Sequence, residues 1–151
     1  MVAVTAVLHA SLPPRWRPYS APDLDLVARP PFDHGAFATT LLVARDELPA
    51  HVSMRAVLDA TTSRLEVLGD EVEVLGERCV VTDGHERGTR LVAFDRHEID
   101  ERLVQVQCFV APIRHSGVTR PVAQLVGTCT FDDLPRHGPA FADIAQSIRF
   151  A

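Results

Sequence analysis

The feature that most constrains the fold is an alternating stretch at residues 101–110, with the sequence ERLVQVQCFV. One face of this stretch carries four small apolar side chains, Val104, Val106, Cys108 and Val110. The other face carries Gln105, Gln107 and Phe109. A period of two is typical of a β-strand with one face in the core. Because strand-like segments both precede and follow it, this stretch is predicted to be central in a sheet.

The segments around this strand predict an antiparallel meander. The period of two continues through residues 71–82, 88–96 and 121–131. The connections between them, including a hairpin loop from Thr82 to Gly88, are too short for parallel crossovers. Further strands are predicted at residues 2–10, 24–29 and 37–45. Prolines at 13, 14 and 18 exclude helix and central strand from residues 10–19, which predicts an extended surface turn.

Two helices are predicted to cover the sheet. The longer spans residues 50–68 and rests on the recurring positions Met54, Leu58, Thr61, Leu65 and Leu68. Pro49 suits its start and Gly69 its end. The shorter spans residues 140–148 and carries Phe141, Ile144, Ala145 and Ile148, with Asp132 and Asp133 as N-capping candidates. The predicted fold class is α+β, one domain over residues 1–151 with an antiparallel sheet of about six to seven strands.

Composition excludes several classes of partner. The net charge of −5 argues against a nucleic-acid surface, which needs a basic excess. No segment approaches the roughly 20 apolar residues that cross a bilayer. The apolar run at the N-terminus has no basic residue before it and is interrupted by His9, so we expect a strand and not a signal peptide, and a cytoplasmic protein. The absence of Lys and Asn indicates a GC-rich genome, such as that of an actinobacterium.

The sequence shows no catalytic motif, and we expect neither an enzyme nor a bound cofactor or metal. The seven histidines lack the spacing that puts two metal ligands on one face of an element. The three cysteines each lie in a predicted strand and are interpreted as small buried side chains. Cys79 is the less clear case, since Glu77 and Arg78 flank it, but no partner for it can be named.

Two sets of residues are candidates for binding a partner. Gln105, Gln107 and Phe109 form a binding face if both helices lie on the opposite side of the sheet, and they are core if both faces are covered. Trp16, between Arg15 and Arg17, is either a binding hot spot or an anchor against its own core.

The order of these segments resembles the Mog/PsbP-like superfamily, which includes LpqN-type lipoproteins, DcrB-like proteins and the Eag chaperones of type VI secretion. The resemblance is carried by the Pro-Pro-x-Trp turn (Pro13, Pro14, Trp16), the strand ending Arg45-Asp46-Glu47-Leu48 and the ending Ser147-Ile148-Arg149-Phe150. It covers nearly the whole chain. We expect neither the signal peptide nor the lipidation cysteine of LpqN-type members, and the sequence shows no motif of the Ran-binding or photosystem branches. The resemblance implies an α/β sandwich that binds other molecules and does not catalyse.

The resulting hypothesis is a non-enzymatic protein-binding module. It would act as an adaptor or chaperone for a protein partner, such as a secreted effector or toxin, through a sheet face or an edge strand. The alternative is a carrier of a small apolar ligand, which requires a sizeable apolar cavity beneath residues 50–68. Homodimerisation through an edge strand is left open by the sequence.

Overall fold

The computed structural model describes residues 8–19, 24, 26–30, 37–115 and 117–150. The strands among them are β1 (Leu8–His9), β2 (Arg17–Tyr19), β3 (Leu26–Arg29), β4 (Thr40–Pro49), β5 (Asp70–Thr82), β6 (His85–Arg96), β7 (Ile99–Pro112), β8 (Thr119–Thr130) and β9 (Arg149–Phe150). The helices are α1 (Met54–Leu68) and α2 (Leu134–Ser147). Seven strands form one antiparallel sheet in the order β2-β3-β4-β8-β7-β6-β5, and β1 pairs with β9.

This architecture confirms the predicted α+β fold, with an antiparallel sheet, one long helix and one C-terminal helix. The strand predicted to be central is β7, which pairs with β6 on one side and β8 on the other. Gln107 lies between Arg90 of β6 and Val126 of β8. The meander from β5 to β8 also follows the prediction. The predicted strand at residues 2–10 is seen only as β1, since residues 1–7 lie outside the described part of the chain.

The junction between β4 and α1 differs from the prediction. β4 continues to Pro49, which faces Thr119 of β8, so Pro49 ends a strand and does not begin a helix. The helix begins at Met54 because Ser53 caps it: the Ser53 hydroxyl accepts a hydrogen bond of 3.1 Å from the Ala56 N–H. The propensity of proline for early helix positions was therefore outweighed by the pairing of β4 with β8.

The hairpin between β5 and β6 is tighter than predicted. Only Asp83 and Gly84 separate the strands, and both have positive φ angles, 54° and 73°. Positive φ at both central residues is the geometry of the two-residue turn that matches strand twist, and Asp-Gly is a preferred sequence for it. β6 therefore already begins at His85.

The second helix begins earlier than predicted and ends on a strand. α2 starts at Leu134, with Pro135 in its first turn, where the missing N–H costs nothing. Pro139 lies inside the helix, which is why the sequence pattern placed the start at residue 140. Asp133 occupies the N-cap position without a side-chain hydrogen bond. The helix ends at Ser147, and residues 149–150 form β9.

The two helices lie on opposite faces of the sheet, so both faces are covered. Strand β7 shows this directly, because its alternate side chains enter different clusters. Val106, Cys108 and Val110 belong to a core cluster with Phe141 and Ile144 of α2. Phe109 and Ala111 belong to a cluster with Met54 and Leu58 of α1. We call these the α2 face and the α1 face of the sheet.

Two side chains of β6, Arg87 and His85, bind the end of α2 and the residues that follow it. The Arg87 guanidinium donates hydrogen bonds to the carbonyls of Ala145, at 2.9 Å, and Ile148, at 2.7 Å. A cation at the carbonyl end of a helix also complements the helix dipole. Beside it, the Phe150 N–H donates a 3.0 Å hydrogen bond to His85 Nε2. The last residues are thereby tied to the sheet.

A substitution at Gly127 of β8 tests how closely α2 packs on the sheet. A Cβ at this position would lie 2.9 Å from three ring atoms of Phe141, whose side chain is fully buried. Gly127→Val should therefore lower the free energy of unfolding by about 1–3 kcal/mol through overpacking. Urea unfolding measures this as a lower midpoint with an unchanged slope.

The control for this substitution is Gly76→Val in β5. A Cβ at Gly76 has no heavy atom within 4 Å, so the free energy of unfolding should change by only about 0.5 kcal/mol or less. Equal effects of the two substitutions would contradict the close packing of Phe141 on Gly127.

Candidate functional site

The structure corrects the first predicted binding face. Gln107 is 0% exposed and Phe109 is 4% exposed, while Gln105 is half-buried. All three lie on the α1 face, beneath the helix. Because α1 and α2 cover different faces, the condition for a binding face is not met. These residues are core, the second of the two alternatives that the sequence left open.

A hydrogen-bonded network satisfies the buried amides. The Gln107 Nε2 donates to Gln105 Oε1 at 2.9 Å, and the Thr62 hydroxyl of α1 donates to Gln107 Oε1 at 3.4 Å. The Gln105 Nε2 in turn donates to the Thr128 hydroxyl of β8 at 3.4 Å. Buried polar groups need such partners, since an unmade hydrogen bond costs more than a made one contributes.

Arg90 connects this network to the surface. Its side chain is 5% exposed and donates to the Thr62 hydroxyl at 2.9 Å. It also donates to Asp59 at 2.6 Å and to Glu77 at 2.9 Å. Burial disfavours the Arg90 cation, but its hydrogen bonds to the Asp59 and Glu77 carboxylates and the charges of these two groups outweigh this effect and hold the pKa of Arg90 above its ordinary value. Arg90 thus joins α1 to β5 and β6 as a permanent cation.

Trp16 is half-buried and packs against α2. Its ring lies edge-on to His137, with centroids 6.2 Å apart, and to Phe141, with centroids 6.0 Å apart. Edge-to-face contacts at these distances are favourable. This geometry favours the second alternative for Trp16, an anchor of the N-terminal segment on its own core.

The candidate metal ligands of the described residues do not come together in a cluster. No group of three or more His, Cys, Asp or Glu side chains in that part of the chain is placed to hold a metal ion. Cys108 and Cys129 are buried, as predicted, and burial raises the pKa of the Cys108 thiol against the opposing effects of Thr89 and Arg87. Among the same residues, no helix is both long and apolar enough to cross a membrane.

Cys79 is exposed, contrary to the interpretation of all three cysteines as buried. It lies in an open groove of about 450 Å³ between β5 and the start of α1, where Met54, Arg55 and Glu86 also line the surface. The lining residues include the carboxylates of Glu77 and Glu86 but no histidine, so the groove lacks the imidazole that usually activates a cysteine nucleophile. Cys79 is therefore of interest for its position on the exposed strand β5 and not for the reactivity of its thiol.

Strand β5 is the longer of the two strands at the ends of the sheet and is exposed over most of its length. It forms one end of the sheet and pairs only with β6 among the described strands. Of its 13 residues none is buried, and only Val72 and Val80 are half-buried. Two irregularities interrupt the pairing, and the second lies between Val74 and Gly76. From Gly76 to Thr82 the pairing with β6 is regular, and we call the outer side of these seven residues the β5 edge.

The side chains of the β5 edge alternate between the two faces. Glu77 reaches Arg90 and Cys79 lies against Gly88, so Glu77, Cys79 and Val81 are on the α1 face. Arg78 and Val80 consequently lie on the α2 face. Val81 is 66% exposed. The sequence signal for this edge was the mixture of charged and apolar residues on both faces of one strand, but it did not identify the edge by itself.

The opposite end of the sheet is protected. There β2 has only three residues, Arg17–Tyr19, with Pro18 in the middle. A short strand with a proline offers few backbone groups to another chain, and this is a common protection of sheet edges. The two ends of the sheet therefore differ in their capacity to accept a further strand.

The Arg90 network generates a stability prediction. Arg90→Met should lower the free energy of unfolding by about 2 kcal/mol, because it removes three hydrogen bonds while Asp59 and Glu77 can still reach water. Chemical denaturation measures the difference. Arg55→Met is the matched control, since Arg55 also contacts Glu77 but is 75% exposed, and we expect about 0.5 kcal/mol or less.

The burial of the cysteines generates a second prediction. With a disulfide thiol reagent at neutral pH, one of the three thiols should react rapidly in the native protein, and all three should react in denaturant. Cys79→Ser should abolish the rapid phase, since the remaining thiols are buried. Rapid reaction of a second thiol in the native state would contradict the packing around Cys108 and Cys129.

Comparison with known proteins identifies the fold. No family model and no curated sequence matches the chain. Among solved structures, LpqN of Mycobacterium tuberculosis, involved in cell envelope biogenesis, matches with a TM-score of 0.77 and 13% identity over 99% of this chain and 86% of its own.

Two further structures match over most of both chains. The Ran-binding protein Mog1p of Saccharomyces cerevisiae has a TM-score of 0.60 and 13% identity over 94% of this chain and 89% of its own. Cyanobacterial PsbP from Synechocystis has a TM-score of 0.58 and 14% identity over 99% and 95%. Identities this low establish the shape of the chain and not its activity. The chain has the Mog/PsbP-like fold.

Proposed function

We propose that this chain is a non-enzymatic protein-binding module, an adaptor or chaperone that holds a partner protein through the β5 edge. The observation that carries this proposal is the open edge itself. It is a regular strand segment of seven residues, Gly76 to Thr82, with no strand on its outer side among the described residues. The cytoplasmic location and the identity of the partner stay predictions.

An extended segment of the partner would add to the sheet as a further strand. Every second residue of an edge strand directs its N–H and C=O outward, and these groups bond to the added backbone. The partner's alternate side chains would then lie on the two faces. On the α1 face they would meet Cys79 and the adjoining groove beside Met54, and on the α2 face they would meet Arg78 and Val80.

The rest of the molecule supports a binding role. The edge is held in place by Glu77, which Arg90 fixes to α1 and β6. A strand held by side-chain bonds loses little further freedom when a partner adds to it. Among proteins of the same fold, Mog1p is named as a Ran-binding protein, which is consistent with protein binding as one use of this scaffold.

The carrier alternative is not favoured by the space beneath α1. Met54 and Leu58 of α1 pack there on Phe109, and the Arg90 and Gln107 network fills the neighbouring region. A carrier needs an apolar cavity at this place. The groove at the start of α1 is open and carries charged residues, which does not suit an enclosed apolar ligand.

Site-specific photo-crosslinking tests the proposal. A benzophenone amino acid replaces Val81 on the β5 edge, or Val67 on α1, which is 85% exposed and serves as the control. In lysate of the source organism, we expect one partner protein to crosslink from position 81 and not from position 67. Amide exchange at the outward N–H groups of residues 76–82 should then be slower in the purified complex than in the dilute single chain, because the added strand takes these groups.

Two results would overturn the proposal. One is capture of the same proteins equally well from both positions, which would indicate nonspecific contact. The other is a specific complex in which exchange at residues 76–82 is unchanged, which would place the contact elsewhere.

A further inference from the structure

We propose that, when no partner strand is bound, the β5 edge pairs with the β5 edge of a second copy of this chain. The two strands run antiparallel around a two-fold axis at Cys79 and join the two sheets into one. This deepens the proposed function, since it names what regulates access to the same edge. It rests on the proposed function only in that it uses the same surface, the β5 edge, and it can be tested without a partner protein.

The length of the regular segment places the axis. A two-fold axis between antiparallel edge strands is perpendicular to the sheet. Each residue therefore lies opposite a residue of the second copy whose side chain is on the same face of the sheet. The regular segment runs from Gly76, next to the irregularity at Val74, to Thr82, next to the Asp83–Gly84 turn. Cys79 is the middle of these seven residues, so only an axis at Cys79 pairs the whole segment.

The charges agree with this register and disfavour its neighbours at residues 77, 78 and 80. An axis at Glu77 or at Arg78 would oppose that residue to its own copy, and an axis at Val80 would oppose Glu77 to Asp83. Like charges directly opposite each other destabilise a strand pair. The axis at Cys79 instead sets Glu77 against Val81 and Arg78 against Val80, with no opposed like charges.

The same register sets each valine of the edge beside a charged residue of the second copy. On the α1 face the two Cys79 side chains meet at the axis, and the exposed Val81 of each copy lies beside Glu77 of the other. On the α2 face each Val80 lies beside Arg78 of the other copy.

The protected end of the sheet makes this contact self-limiting. Pairing of β5 with β2 of another copy would be head-to-tail and could add further copies, as rings or filaments. The short length of β2 and its Pro18 oppose that pairing. Pairing of β5 with itself uses the same surface twice and closes at two copies. A contact of seven residues a side is also small, so the dimer would dissociate readily when a partner strand competes for the same backbone groups.

Charge substitution at Val81 tests the register. Val81→Glu places a carboxylate opposite Glu77 of the second copy, twice per dimer, whereas Val81→Arg places a guanidinium there. We expect the wild type and Val81→Arg to reach the mass of two chains in a concentration series by light scattering. Val81→Glu should stay at the mass of one chain, with at least a tenfold weaker association. Val67→Glu on α1 should associate like the wild type.

The fold of the variants is checked separately. Val81 is also the direct pairing partner of Glu86 in β6, and Glu86 is bonded to Arg120. A charge at position 81 therefore acts within the chain as well, and circular dichroism must show that both Val81 variants are folded. Crosslinking then gives a readout that does not depend on Val81.

Thiol crosslinking with diamide tests the position of the axis. Two Cys79 thiols form one S–S bond, and their two protons and two electrons pass to diamide. Directly opposed residues of antiparallel strands lie within the distance that a disulfide spans. In Cys79→Ser combined with Thr82→Cys, each new thiol is six residues out of register, about 20 Å from its copy. We expect rapid crosslinking of the wild type and almost none of this double variant.

A mass of one chain at every concentration would overturn the proposal, as would equal association of the two Val81 variants or equal crosslinking of the double variant. None of these results would affect the proposed function, which fails only in the partner experiment. Conversely, capture of nothing but a second copy from position 81 would support the dimer and overturn the adaptor.

Discussion

The structure depends on burying β7 on both of its faces although one face carries two amides. Gln107 is fully buried, so its amide must find partners inside the protein. Thr62 and Gln105 supply them, and Arg90 completes the set. Helix α1 is therefore held by directed bonds as well as by apolar contact, which favours one orientation of the helix on the sheet. The apolar face opposite needs only packing against α2.

This difference between the two faces explains what the sequence could predict. Val106, Cys108 and Val110 were predicted to be buried, and they are, because an uninterrupted apolar face has only one favourable location. The face with Gln107 was ambiguous, since an amide is as common on a surface as in a satisfied core. Its burial depends on Thr62, which is 45 residues away in the chain, and on an arginine that looks like an ordinary surface residue.

The boundaries and the candidate site show the same limit. Local chemistry predicted the meander and the two helices, but the end of β4 at Pro49 is set by β8, a strand far along the chain. The open edge is likewise a property of strand order. Pro18 could have identified a protected strand from the sequence, whereas the mixture of charged and apolar residues on β5 is not enough to distinguish this outer strand from the inner strand β6. Whether a strand is an edge is decided only when the whole sheet is assembled.

The pairing of β4 with β8 has a consequence for synthesis on the ribosome. Thr40 faces Thr128, so more than half of the chain separates these neighbours, whereas β5 to β8 pair with their immediate successors. Contacts of high sequence separation form slowly, because a large loop must close first. In the emerging chain β4 can pair with β3, but its other edge stays open and its apolar residues Leu41 and Val43 stay accessible until β8 has left the exit tunnel. For this interval β4 is the segment most in need of a chaperone.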